Sequence, residues 1–170
     1  MNIIDTLRLQ ASYNHWMNER LYAVCAALSD AERKRDLGAF FRSIHGTFNH
    51  ILLADRLWLA RLGGQPFHVA SLDQELYADF DTLHAEQVRT DAEVVACVQD
   101  LAPERLADTV AYTSVMTGRP NALPLGVVLT HLFHHQTHHR GQITTLISQL
   151  GRDFGETDMI WMPGVGAPPT

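Results

Sequence analysis

Between Ile3 and Leu28 the apolar residues Leu7, Leu9, Tyr13, Trp16, Met17, Leu21, Val24 and Leu28 return at every third or fourth position, with no proline or glycine among them. That spacing predicts one long amphipathic helix, because residues three and four apart share a face. It stops at "LSDAER", where Ser29 or Asp30 can cap a short following turn. A second helix is predicted from about Phe41 to Leu62, and the pair of glycines and the proline in "GGQP" end it. After a loop to roughly Asp73, a third helix runs from about Gln74 to Leu101 on Leu76, Phe80, Leu83, Val88, Val94, Val95 and Val98, and ends before Pro103.

Residues 109–121, "TVAYTSVMTGRPN", change to a β-branched, nearly alternating pattern with a "TGRPN" turn. This predicts a small hairpin or extended excursion, which must lean on the helices because an isolated strand pair is marginal. A fourth helix starts near Pro124, whose ring suits a first turn, and ends at Leu150 before Gly151. The tail, "GETDMIWMPGVGAPPT", should be irregular with frayed last residues. The pattern therefore predicts an all-α protein: a four-helix bundle with a long irregular or short hairpin-like link before the last helix, as a single domain over residues 1–170.

Composition narrows the partners. With 46% hydrophobic and 19% charged residues the chain reads as globular, and a net charge of −6 with no basic run argues against nucleic-acid binding. Arg33-Lys34-Arg35 sits among acids in "DAERKRD" and reads as a solvated helix end. Cys25 and Cys97 lie in apolar helical patterns without a partner at ligand or redox spacing, so both are expected to be buried free thiols. No signal-peptide pattern and no run of roughly 18 apolar residues is present, so a soluble, cytoplasmic protein without membrane contact is expected.

Ten histidines are present, and five of them fall in "HLFHHQTHHRGQ", residues 131–142. With His135 at zero and about 100° per residue, the apolar positions of the fourth helix span about +20° to +120°. His135 and His139, at about 0° and +40°, lie in or beside that inward arc, whereas His131, His138 and His134 lie at about −40°, −60° and −100°. Two inward histidines four apart can converge on one cation, and they can equally be core histidines bonded to polar neighbours. In the second helix the inward residues include Phe40, Ile44, Ile51, Trp58 and Leu62; His50 flanks them, and His45 points outward with Arg42 and Arg56.

His50 with His135 and His139 would form a facial site with open positions. Asp55 and Gln142 are candidates to support the ligands, with Asp55 equally readable as a buried acid bonded to the first helix. Trp16 and Trp58 are expected to pack beside the site, and Trp161 to cover the bundle end or a partner.

Three segments, "YNHWMNERL", "NHILLADRLWLARL" and "HHQTHHRGQITTLISQLG", resemble the DinB/YfiT-like (damage-inducible DinB) metal-binding four-helix bundles, and the histidine, three residues, then His-Arg-Gly-Gln is the most specific part. The resemblance extends through "AYTSVMTGR" and "DMIWMPG". It implies one divalent metal ion, zinc or nickel, held by His50, His135 and His139. It further implies a small-molecule substrate or low-molecular-weight thiol, since relatives include thiol-dependent S-transferases and a thiol-dependent maleylpyruvate isomerase. The reaction class would be thiol transfer or hydrolysis; the alternative is a metal-stabilised bundle without turnover. A homodimer is expected through Ile3, Leu9, Ile160, Trp161 and Met162.

Overall fold

A computed structural model describes residues 1–165; the frayed end expected at 166–170 lies outside the described residues. The fold is mostly helical. Helix α1 spans Ile3–Ala26, α2 Asp30–Lys34, α3 Ile44–Gly63, α4 Phe80–Gln99 and α5 Leu125–Gln149. Antiparallel strands β1 (Thr109–Thr113) and β2 (Pro120–Pro124) form the hairpin before α5, with Ala111 opposite Ala122. No helix among the described residues is long and apolar enough to cross a membrane.

The caps follow from the sequence. Asn2 and Asp5 make a capping box on α1, Ser29 and Glu32 make another on α2, and Gly64 closes α3 in the left-handed conformation. Pro124 directly precedes the first residue of α5 and also closes β2.

Helix α1 packs on α4 and α5, and α3 packs on the same two helices. The interior is layered along the helix axes. One apolar cluster gathers Leu21, Tyr22, Phe48, Leu52, Leu83 and Ile147. The other gathers Leu7, Trp58, Val98, Val128 and Leu132. Between them in all four long helices lie buried polar residues: Asn14 and Asn18, Asp55, Gln87 and Asp91, Gln136 and Arg140.

Several expectations are corrected. The third helix begins at Phe80, not Gln74, because Asp79 caps it and Asn49 of α3 captures the preceding irregular segment, accepting from the Leu76 and Tyr77 amides at 2.8 and 3.0 Å. Phe40 precedes its helix and is 84% exposed instead of inward. Arg33 is not a solvated helix end: it donates to the carbonyl of Cys25 in the last turn of α1 and to that of Leu28 just past it, and lies 4.3 Å over the Phe80 ring. Cys25 is buried, but Cys97 is only half-buried. Ile160 and Trp161 are exposed as expected, whereas Met162 is buried.

Candidate metal centre

The three histidines that the helical wheels selected meet at the α3–α5 seam. His50 Nε2 lies 3.0 Å from His135 Nε2, which lies 3.1 Å from His139 Nε2. One nitrogen from each of the three rings lies within 4.8 Å of the others. His131, His134 and His138 are exposed, as the wheel angles required.

The outer nitrogens are committed elsewhere. His50 Nδ1–H donates to the Leu72 carbonyl at 2.8 Å, and His139 Nδ1–H donates to Gln142 Oε1 at 2.9 Å. Gln142 in turn donates from its amide to His138 Nε2 at 3.2 Å. In the neutral rings these bonds leave bare lone pairs on Nε2 of His50 and His139. His135 can supply one Nε2 proton to two facing nitrogens, so one of the two short contacts sets lone pair against lone pair.

A cation resolves that conflict. Nitrogens at roughly 2.0–2.1 Å from a tetrahedral metal stand about 3.3 Å apart, close to the separations found. The donor set therefore fits a divalent ion of the imidazole-preferring kind.

Burial keeps the rings neutral. It pushes the His135 pKa down to about 3, with the neighbouring His139, His50, His131 and His138 adding repulsion. His139 is pushed down to about 4 mainly by burial, against a raising contribution from Gln142. His50 is lowered by burial and partly restored by its bond to Leu72. Neutral imidazole is the form that ligates.

A tight loop covers the site. Arg42 adopts φ 67°, unusual for a non-glycine residue, and its carbonyl accepts from the Leu37 amide at 2.8 Å while its own amide donates to Ala39 at 2.8 Å. This turn places the Phe41 ring flat on His50, centroids 3.8 Å apart, and edge-on to His139 at 5.5 Å. Gly46 permits the approach: a Cβ there would stand 2.3 Å from the Phe41 carbonyl. At the other side Trp58, itself buried, meets His131 edge-to-face at 5.4 Å, and His131 stands 5.6 Å from His135. Trp16, half-buried, packs near Tyr13 and under Arg20.

Two outward assignments fail. His45 is 1% exposed, its Nε2–H donating to the Tyr77 carbonyl at 2.9 Å, because the non-helical segment before α4 wraps over this face of α3. Arg56 is half-buried, engaging Glu86 and the Tyr77 hydroxyl. Asp55 touches neither the histidines nor α1: it accepts from Gln87 of α4 at 3.2 Å and from Gln136 of α5. Burial and the nearby Asp91 push its pKa up to about 7.

Sequence reasoning missed the polar layer beside the histidines. Arg140 donates to Asn14, to Asn18 at 3.4 Å, to Gln136 at 3.2 Å and to Thr137 at 3.2 Å. Asp91 accepts from Asn18 at 3.0 Å and Gln87 at 2.9 Å. The signal was available, since Gln136 and Arg140 fall at about +100° and +140° on the wheel that placed His135 and His139. The Gln136–Asp55 bond ties together the two helices that carry the three histidines, one residue along from His135.

The DinB family model matches residues 4–165. Protein DinB of Bacillus subtilis (strain 168) is 23% identical over 152 residues, covering 86% of this chain and 87% of that protein. A crystal structure of a DinB-like protein from Bacillus cereus ATCC 10987 superposes with a TM-score of 0.58 at 20% identity, over 83% of this chain and 90% of that one. At that identity the likeness concerns the fold.

Proposed function

The chain belongs to the DinB family, and from that premise we propose that it is a divalent-metal protein, and a metal-dependent enzyme acting on a thiol or on water. We read its four long helices as a four-helix bundle whose α3–α5 seam holds one zinc or nickel ion on His50, His135 and His139. The observation that carries this reading is the meeting of three Nε2 atoms while the outer nitrogens of His50 and His139 are bound to oxygen.

A bound cation of this kind lowers the pKa of a coordinated thiol or water and so supplies a nucleophile at neutral pH. The chain's own residues do the rest. Leu72 and Gln142 fix the tautomer and the rotation of two rings, as the partners of ligating histidines generally do. Phe41 shields the His50 face from water. His131 and His138 stand at the rim, where the second is held by the Gln142 amide.

A reading without turnover, in which the metal stabilises a small-molecule-binding or structural bundle, is favoured by one specific observation. The carboxylate nearest in sequence to the ligands of α3, Asp55, is spent on Gln87 and Gln136 and is not offered as a base. The two readings separate on one assay: metal-loaded protein, with low-molecular-weight thiols and electrophiles, against the His135→Ala variant. Metal-dependent thiol consumption or hydrolysis lost in the variant supports the enzyme. Equal rates in the two proteins refute it. The cytoplasm is the compartment that suits such thiol chemistry and the two free cysteines.

A further inference from the structure

One cleft lies away from the three-histidine cluster. It encloses about 650 Å³ between the C-terminal end of α3, the loop over residues 64–70 and strand β1, within the size range of small-molecule sites. Leu57, Phe67 and Tyr112 supply apolar wall, Arg61 and His68 are its basic side chains, and among the described residues no carboxylate lines it.

Arg61 is held in a fixed pose. Its guanidinium carbon lies 4.5 Å from the Trp58 ring centre and 4.3 Å from that of Tyr112, and Nη2 donates to the Thr113 carbonyl at 3.1 Å. A simpler role would be to offset the negative end of α3, in whose last turn it sits. The contacts contradict that role: the Ala60 and Arg61 carbonyls accept from the Gln65 and Gly64 amides at 2.8 and 3.4 Å, while the guanidinium turns to the hairpin. Among the described residues its polar contacts include no acid, and of a guanidinium's five donors one is used by them. A planar cation immobilised against two rings presents its free edge at little further entropic cost.

We propose that this cleft is a binding site for a small organic acid, with Arg61 receiving the carboxylate in a two-pronged pair and Leu57, Phe67 and Tyr112 enclosing an apolar or aromatic body. The site is separate from the three-histidine cluster and does not depend on the metal reading. Trp58 links the two, since Arg61 lies on its ring and His131, neighbour of His135, meets it edge-on.

The test is calorimetric titration of the full chain with benzoate, acetate and benzamide, repeated on Arg61→Met, Arg61→Gln and His135→Ala variants whose folding is checked by circular dichroism. Saturable benzoate binding is expected, with benzamide and either Arg61 variant weaker by about tenfold to a hundredfold, the usual value of hydrogen bonds to a charged group, and with acetate weaker because it lacks the ring that Leu57, Phe67 and Tyr112 enclose. His135→Ala should bind benzoate as the wild type does. The proposal is overturned by the absence of saturable binding, by equal affinity for benzoate and benzamide, by an Arg61 variant that binds benzoate unchanged, or by loss of binding in His135→Ala, which would place the anion on the metal. The benzoate–benzamide comparison uses the wild-type chain alone and stands even where a variant fails to fold.

Discussion

Replacing Arg140 by methionine keeps most of the side-chain bulk and removes the one cation of the buried polar layer. Arg140 is 4% exposed and donates to the side-chain oxygens of Asn14, Asn18 and Gln136. Without it those three acceptors lose their partner in a site closed to water, at about 1–3 kcal/mol each. The opposing contribution is relief of burying the guanidinium, whose pKa is pushed down to about 10 by desolvation. That depression from 12.5 corresponds to roughly 3 kcal/mol, at 1.36 kcal/mol per pKa unit. The three losses sum to about 3–9 kcal/mol, and set against that relief they leave a net loss of about 3 kcal/mol at the middle of the range, the low end of what removing one member of a buried charged network costs. For a chain of this size the melting temperature falls by roughly 6–12 °C. Urea and thermal unfolding of the metal-free protein at pH 7 measure it, with Arg105→Met, whose exposed pair with Asp108 is worth about 0–1 kcal/mol, as the control. A change in Arg140→Met below about 1 kcal/mol would refute the account of the layer as a connected network.

Other outcomes follow from the same geometry. Asp55 titrates near 7 when folded and at an ordinary low value when unfolded, so the folded state holds the extra proton between them and stability declines as pH rises from about 4 to 7; in Asp55→Asn that decline should vanish, and identical pH profiles of the urea midpoint would count against it. Chelation by EDTA should lower the melting temperature through lost binding free energy and leave the helical circular dichroism at room temperature intact, because neither apolar cluster draws on the three histidines; collapse of the helical signal would show the opposite. Ile3, Ile160 and Trp161 are left exposed at 54%, 64% and 57%, apolar surface that a second copy would cover, so light scattering at micromolar concentration should report a homodimer, and a mass of 19.1 kDa would exclude it there.

What the sequence made legible was set by periodicity. The four long helices and the hairpin before α5 follow from spacing of three and four and from its change at Thr109. The inward set of His135 and His139 follows from the same angles, and His50 with it. Legibility failed where a long-range contact overrode local pattern. Residues 74–79 carry helical spacing, yet Asn49 captures their backbone, and that same wrap buries His45. Gln136 and Arg140 were overlooked because the inward arc was defined by apolar residues, although a polar residue inside that arc must find buried partners. The loop that sets Phe41 on His50 has no periodic signature, since a left-handed Arg42 and the absence of a side chain at Gly46 create it.

The central claim is that His50, His135 and His139 hold one divalent ion. Elemental analysis of protein purified without an affinity tag, beside the single alanine variants of the histidines, tests it most directly. One zinc or nickel per chain is expected, lost in His50→Ala, His135→Ala and His139→Ala and kept in His131→Ala, His134→Ala and His138→Ala. A full complement of metal in His135→Ala would contradict it.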